Sequence, residues 1–189
     1  MTKHFLNIKD FSSSQLEEVI QLAKLIKKEK SLNDLKRKGE NLIASKYSSK
    51  LRGKYLALIF EKVSTRTRIS FEVAMAQLGG TSSFASSKDL QLGRGEPIED
   101  TARVISSMAD AILLRTISHK TQEVFANMSK VPVINGLSDM SHPCQLLADL
   151  LTFSEIKGEI KNKQVAWVGD CNNVCYSYIE AAEALDFYL

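Results

Sequence analysis

A chain of 189 residues, 44% of them hydrophobic, is long enough for one full domain with part of another and can bury a sizeable core. Its formal charge of +3, from 25 Lys+Arg against 22 Asp+Glu, is too small and too evenly spread for a nucleic-acid surface, and the one local excess, Lys24 to Lys38, reads as the solvated face of a helix. No apolar run suggests a membrane span, the early acids Asp10, Glu17 and Glu18 disfavour a leader peptide, and Cys144, Cys171 and Cys175 form an odd set without metal-ligand spacing, so a cytoplasmic protein without disulfides or metal is expected.

In chain order, Ser14-Gln15-Leu16-Glu17 matches a capping box ahead of Leu16, Val19, Ile20, Ala23 and Ile26, which predicts an amphipathic helix over about 14–30. Gly39 and the polar stretch to Arg52 read as a loop or irregular helix. Strand-like runs then occur at Lys54 to Phe60, Thr81 to Ser86, Ala111 to Arg115, Val131 to Asn135 and Gln164 to Val168. Helix-like segments alternate with them at about Arg66 to Leu78, Ile98 to Met108, Thr121 to Lys130 and His142 to Ile156, the first closed by Gly79-Gly80. A last helix opens at Asn172-Asn173 and runs through Ala181-Ala182.

Alternating strands and helices imply parallel pairing through right-handed crossovers, hence an open parallel α/β sheet with helices on both faces. The tract Gly158 to Lys163 reads as a link to a second sheet, which divides the chain into a first domain over 1–157 and the start of a second α/β domain over 158–189.

The most informative stretch is Ser64-Thr65-Arg66-Thr67-Arg68, placed between an apolar strand and an amphipathic helix. A helix N-terminus leaves backbone N–H groups unpaired, so those groups, the Ser and Thr hydroxyls and Arg66 can converge on a phosphate. Hydrogen bonds to a charged partner contribute about 1.5–3 kcal/mol each, against roughly 0.3–1 kcal/mol from the helix dipole, so the side chains dominate. Alone, the segment fits equally a plain Ser64 cap with two solvated arginines.

It does not stand alone. In an open parallel sheet the loops after the strands share one edge, and here those loops carry Ser64 to Arg68, Lys88 to Glu96 with Gln91, Arg115-Thr116, and Ser141-His142-Pro143-Cys144-Gln145. His142 and Gln145 lie three apart on the first turn of a helix in which Pro143 is well tolerated. Gly169-Asp170-Cys171-Asn172 lacks the spaced glycines of a dinucleotide fingerprint and no G-x-x-x-x-G-K-[ST] sequence occurs, so no cofactor is expected. Cys144, Cys171 and Cys175 read as packing residues, and His4 and His119 are assigned no role.

Phe60-Glu61-Lys62 followed by Ser64 to Arg68 and Ser70-Phe71-Glu72 resembles the carbamoyl-phosphate motif of the aspartate/ornithine carbamoyltransferases. His142-Pro143-Cys144-Gln145 resembles that family's H-P-x-Q element, and Leu114-Arg115-Thr116 its lone carbamoyl-phosphate arginine. Phe-Glu-Lys, Gln91-Leu92-Gly93, Glu99 to Val104 and Gly169-Asp170 with Asn172-Asn173 look like the ornithine branch. The resemblance spans essentially the whole chain, while the family's proteins are considerably longer. It therefore implies a carbamoyl-phosphate domain followed by the beginning of an ornithine domain.

For activity, the resemblance implies transfer of the carbamoyl group of carbamoyl phosphate to the side-chain amine of L-ornithine, yielding citrulline and phosphate for arginine biosynthesis. It implies that Ser64, Thr65, Arg66, Thr67, Gln91, Arg115, His142 and Gln145 bind carbamoyl phosphate, with Arg115, His142 and Thr67 acting on the reacting carbonyl. It also implies that Asn173 holds ornithine, that Gln91 reaches a neighbouring subunit of a homotrimer or a multiple of trimers, and that Arg68 is structural. Two other readings remain open: a non-catalytic anion-binding or assembly domain, and a carbamoyltransferase for another amine such as putrescine.

Overall fold

The computed structural model describes residues 2–36, 46–86 and 95–189. Within them, β1 (Tyr55–Phe60), β2 (Thr81–Ser86), β3 (Ala111–Arg115) and β4 (Val133–Leu137) form one parallel sheet in the order β2-β1-β3-β4. The described helices are α1 (Ser13–Lys36), α2 (Thr65–Gln77), α3 (Ile98–Met108), α4 (His119–Met128), α5 (Pro143–Ile156) and α6 (Asn173–Leu185). Phe5, near the N-terminus, makes an isolated parallel bridge to Ile134 of β4.

The strand sequences explain the layering. β1 and β3 are apolar almost throughout and sit centrally, buried on both faces, as parallel strands require. Leu56, Leu58, Phe60 and Leu113 pack with Met75 and Phe71 of α2 on one face. Their alternates Ala57, Ile59, Ile112 and Leu114, with Val133, meet Ala102 of α3 and Phe125 and Ala126 of α4 on the other. The more polar β2 occupies the edge, where none of its residues is fully buried.

A third cluster joins Leu16 and Ile20 of α1, Leu146 and Leu150 of α5, and Ala181 and Leu185 of α6. It crosses the position expected to divide the chain at 157/158.

Strand order decides where a ligand can sit. The chain leaves β1 for β2 on one side and returns for β3 on the other, so the direction of winding reverses between β1 and β3. The crevice outside the carboxyl ends of two such strands is the usual ligand position in open α/β sheets. Phe60 and Arg115 pair directly at those ends.

Local details differ from the sequence expectations at several points. The α1 capping box is formed two residues early: Ser12 Oγ accepts from Gln15 N–H (3.3 Å) while Gln15 Oε1 accepts from Ser12 N–H (3.0 Å). α4 begins two residues early because Asp139, from the loop after β4, accepts the His119 N–H at 2.7 Å. β4 runs two residues late: Pro132 has no N–H to give, and Gly136 lets the strand continue through a register shift opposite Leu114/Arg115. A Cβ at Gly136 would stand 3.1 Å from the Leu114 carbonyl oxygen.

Gln164 to Val168 is not a full strand. Gln164 makes one bridge to Tyr188, and no longer ladder forms among the described residues. The end of α2 follows expectation: Gly80 N–H reaches the Met75 carbonyl (2.9 Å) and Gly79 N–H the Ala76 carbonyl (3.2 Å), with Gly79 left-handed at φ 84°.

Candidate functional site

Ser64 caps α2 in an extended conformation, its Oγ accepting from Thr67 N–H at 3.4 Å and donating to Thr67 Oγ1 at 3.1 Å. Arg115, at the end of β3, points the same way and donates from Nη1 to Thr67 Oγ1 at 3.4 Å. Thr67 Oγ1 thus accepts twice, which leaves its own proton free for an external oxygen. The first-turn N–H groups of Thr65 and Arg66 are among those a helix leaves without intrahelical partners. Arg66 is exposed and has no hydrogen-bond or ion-pair partner among the described residues.

Arg68 behaves differently. Its Nε pairs with Glu72 at 3.0 Å, and its guanidinium lies 3.9 Å from the centre of the Phe84 ring. It therefore ties α2 to β2 instead of facing the rim.

His142 caps α5 immediately beside this cluster. Its pKa is lowered to about 4, chiefly by burial and then by the Arg115 charge, with Asp149 opposing weakly. The imidazole is neutral at pH 7 and carries a single N–H donor. Burial also lowers the Arg115 pKa, but a guanidinium keeps its charge at neutral pH.

Two buried atoms of this site, His142 Nδ1 and Arg115 Nε, have no hydrogen-bond partner. Leaving such an atom unpaired costs about 1–3 kcal/mol, and a polar ligand at this rim would satisfy both. The charge balance supplied by Arg115 and exposed Arg66 selects an anion.

Neighbouring side chains hold the turns in place. Glu61 Oε2 accepts from Ile117 N–H (2.6 Å) and Glu61 N–H donates to the Arg115 carbonyl (2.8 Å), fixing the loop after β3. The fully buried Gln122 donates from Nε2 to Thr116 Oγ1 and to the Leu137 carbonyl, both at 3.0 Å, tying the ends of β3 and β4. Asn135 Nδ2 holds the Ser141 carbonyl at 3.2 Å.

Sequence reading missed all three, because their contacts join the ends of different elements. Only Glu61 carried a signal, as part of Phe-Glu-Lys.

α6 grips the same rim. Asn172 caps it through Oδ1, which accepts from Val174 and Cys175 N–H at 3.0 and 3.2 Å. Asn173 donates from Nδ2 to the Ser138 carbonyl at 2.7 Å, and Ser177 Oγ accepts from His142 N–H at 2.9 Å. The structure thus gathers Ser64, Thr67, Arg115 and His142, sets Arg66 and Thr65 exposed on the same helix turn, and brings Asn173 to the loop preceding His142. Gln145 stands on the next exposed position of α5, and Gln91 lies outside the described residues.

The cavity beside the central strands is not a rival anion site. A cavity of about 310 Å³ lies between β1, β2 and α3, but Ala57, Ile59, Ala85, Ile105 and Met108 make it apolar. Cys144 is no rival nucleophile: burial pushes its thiol up to about 12, and it donates to the Asn135 carbonyl at 3.3 Å. Cys171 is exposed and not a packing residue, whereas Cys175 is buried. His119 is held by Ser138 at 2.8 Å and serves the fold.

Fold and site define an α/β domain that gathers cationic and hydroxyl side chains at the switch point of a parallel sheet. The chain matches the family model for the aspartate/ornithine carbamoyltransferase carbamoyl-P binding domain over residues 3–155, and it belongs to that family. It is 51% identical over 187 residues to an ornithine carbamoyltransferase of Acinetobacter baylyi, covering 99% of this chain and 57% of the relative. An anabolic ornithine carbamoyltransferase of Pseudomonas aeruginosa is 52% identical over 187 residues, with coverage of 99% and 57%.

Among solved structures, the ornithine carbamoyltransferase of Pyrococcus furiosus superposes with a TM-score of 0.87 at 46% identity, covering 97% of this chain and 55% of that one. That of Burkholderia thailandensis gives 0.86 at 47%, covering 98% and 60%. The chain thus spans about 57% of the length of the curated relatives it matches.

Proposed function

We propose that this chain provides the carbamoyl-phosphate half of an ornithine carbamoyltransferase. The observation that carries the reading is the meeting of Arg115, Thr67 and a neutral His142 at the β1/β3 switch point, with a buried donor or acceptor on each of Arg115 and His142 left unpaired. Domains 1–157 and 158–189 then contribute different substrates, with Asn173 on the ornithine side.

In the reaction the uncharged side-chain nitrogen of L-ornithine attacks the carbamoyl carbon. The carbonyl π bond becomes an oxyanion, and collapse breaks the carbon–oxygen bond to phosphate; the nitrogen loses a proton and citrulline results. Ser64, Thr65, Arg66 and Thr67 match the phosphate through N–H groups, hydroxyls and a guanidinium fork. Arg115, the free Thr67 proton and the His142 N–H are suited to the oxyanion, where preorganised donors act most strongly. Gln145 has an amide oxygen to accept from the carbamoyl NH₂.

An alkyl amine with a pKa of about 10.4 is rarely neutral at pH 7, which raises the barrier by roughly 4–5 kcal/mol. No side chain at the described rim is an evident base for it. Holding both substrates in register must compensate, and effective molarities of about 10⁵–10⁸ M supply that scale. Gln91 is assigned to the phosphate of an adjacent subunit in a trimer, and the three free cysteines favour a reducing, cytoplasmic setting.

An acceptor competition tests the reading. The full-length protein carrying this chain is given carbamoyl phosphate with equal ornithine, aspartate and putrescine, and products are resolved by mass. Citrulline as the main product upholds it. Carbamoyl aspartate or carbamoylputrescine overturns the acceptor, and no product despite binding of phosphonoacetamide reduces the chain to an anion-binding domain.

A further inference from the structure

Gln145 has two chemically different ends, and something must decide which one faces a ligand. Its Nε2 donates to Asp149 Oδ1 at 2.9 Å, one turn along α5. The other oxygen, Asp149 Oδ2, accepts from the Tyr178 hydroxyl at 3.2 Å. Tyr178 belongs to α6 and lies against Trp167, with ring centres 5.8 Å apart. Burial and the Asp149 carboxylate push the Tyr178 phenol up to about 12, so it remains a donor at neutral pH.

An ionised carboxylate accepts and never donates. Asp149 can therefore meet only the NH₂ end of Gln145, whereas an unheld glutamine amide turns through half a circle and offers either end. Tyr178 occupies the second carboxylate oxygen and keeps Asp149 from swinging away. The consequence is a Gln145 whose Oε1 has no partner among the described residues, on the first turn of α5 beside His142.

We propose that Asp149, braced by Tyr178, is a positioning residue that fixes the Gln145 amide with its oxygen outward and so makes the site prefer a ligand bearing an amide NH₂ over one bearing a methyl group at the same place. The proposal deepens the carbamoyl-phosphate reading and rests on it. It also gives α6 a part in substrate choice at the first substrate's site.

The test uses two stable probes that differ only there, phosphonoacetamide and phosphonoacetone, titrated calorimetrically into the chain. One hydrogen bond corresponds to a preference of about 2- to 12-fold for the amide in the wild type. Asp149→Leu is expected to weaken phosphonoacetamide by that factor, leave phosphonoacetone unchanged and bring the ratio near one. Adding Asp149→Leu to Gln145→Leu should change nothing further.

Tyr178→Phe, which removes only the brace, should lower the preference part of the way. Should Asp149→Leu fail to fold by circular dichroism, Asp149→Asn serves, since an amide can face either end of Gln145. A preference retained in these variants, or both affinities falling together, overturns the positioning role alone. No binding of either probe by the wild-type chain overturns the carbamoyl-phosphate reading and this inference with it.

Discussion

Arg115 Nη1 stands 3.4 Å from Thr67 Oγ1, joining the end of β3 to the first turn of α2 across the reversal in strand order. The pair converts two sequence-distant elements into one anion-facing surface. Because Thr67 Oγ1 already accepts from Ser64 as well, the hydroxyl proton is directed to whatever oxygen arrives.

Arg66→Ala should weaken phosphonoacetamide binding about 10- to 150-fold, the loss of one charged hydrogen-bonding partner. Its Tm should not move, because Arg66 is exposed and unpartnered among the described residues. Arg68→Ala should do the reverse, lowering Tm through loss of Glu72 and Phe84 contacts with little change in affinity. Calorimetric titration and thermal unfolding of both variants check this; equal affinities for wild type and Arg66→Ala would remove Arg66 from the site.

His142 should remain neutral well below the usual histidine range. Its folded pKa is lowered to about 4 by burial and by Arg115, against 6.5 when unfolded. Between those values the unfolded chain binds the proton and the folded chain does not, so this group's contribution to stability is present above pH 6.5 and is lost as pH falls towards 4. An imidazole proton resonance titrating near 6.5 in the folded protein would contradict the buried neutral ring.

Ser177→Ala should destabilise the chain by about 1–3 kcal/mol, the cost of leaving a partly buried group unpaired. Ser177 is buried and its Oγ is the partner of His142 N–H and a neighbour of Ser141 Oγ. The midpoint of urea unfolding measures it. A wild-type midpoint would show that α6 does not hold the turn carrying His142.

Gly79→Ala should cost about 1–2 kcal/mol from the left-handed backbone alone. An added Cβ would also meet the Ser48 carbonyl oxygen at 2.5 Å, which is backbone and cannot swing aside. Denaturant unfolding should therefore show a loss above that range, and a neutral substitution would mean that the α2 terminus is not closed as described.

Much of this was legible in the sequence because it is local. The strand ranges of β1 and β3 follow from apolar runs, and the end of α2 from Gly79-Gly80. The Ser64-to-Arg68 motif pointed to a phosphate through residue types within one helix turn, of which the structure turns Arg68 to Glu72 and Phe84.

What escaped depends on partners far along the chain. The early start of α4 is set by Asp139, the late end of β4 by a bulge opposite Arg115, and the box at Ser12 and Gln15 competes with an equally good pattern at Ser14. The isolated Gln164 bridge shows an apolar run without enough pairing neighbours among the described residues. Strand order, which places Arg115 at the switch point, and the Tyr178–Asp149–Gln145 chain emerge only in three dimensions.

The most direct measurement is a crystal structure of the chain grown with phosphonoacetamide. The account predicts the phosphonate at the Ser64–Thr67 turn, within hydrogen-bond reach of Arg66 and Arg115, and the amide carbonyl oxygen beside Arg115 and His142. A phosphonate bound elsewhere, with the Arg115 Nε and His142 Nδ1 still unpaired, would contradict it.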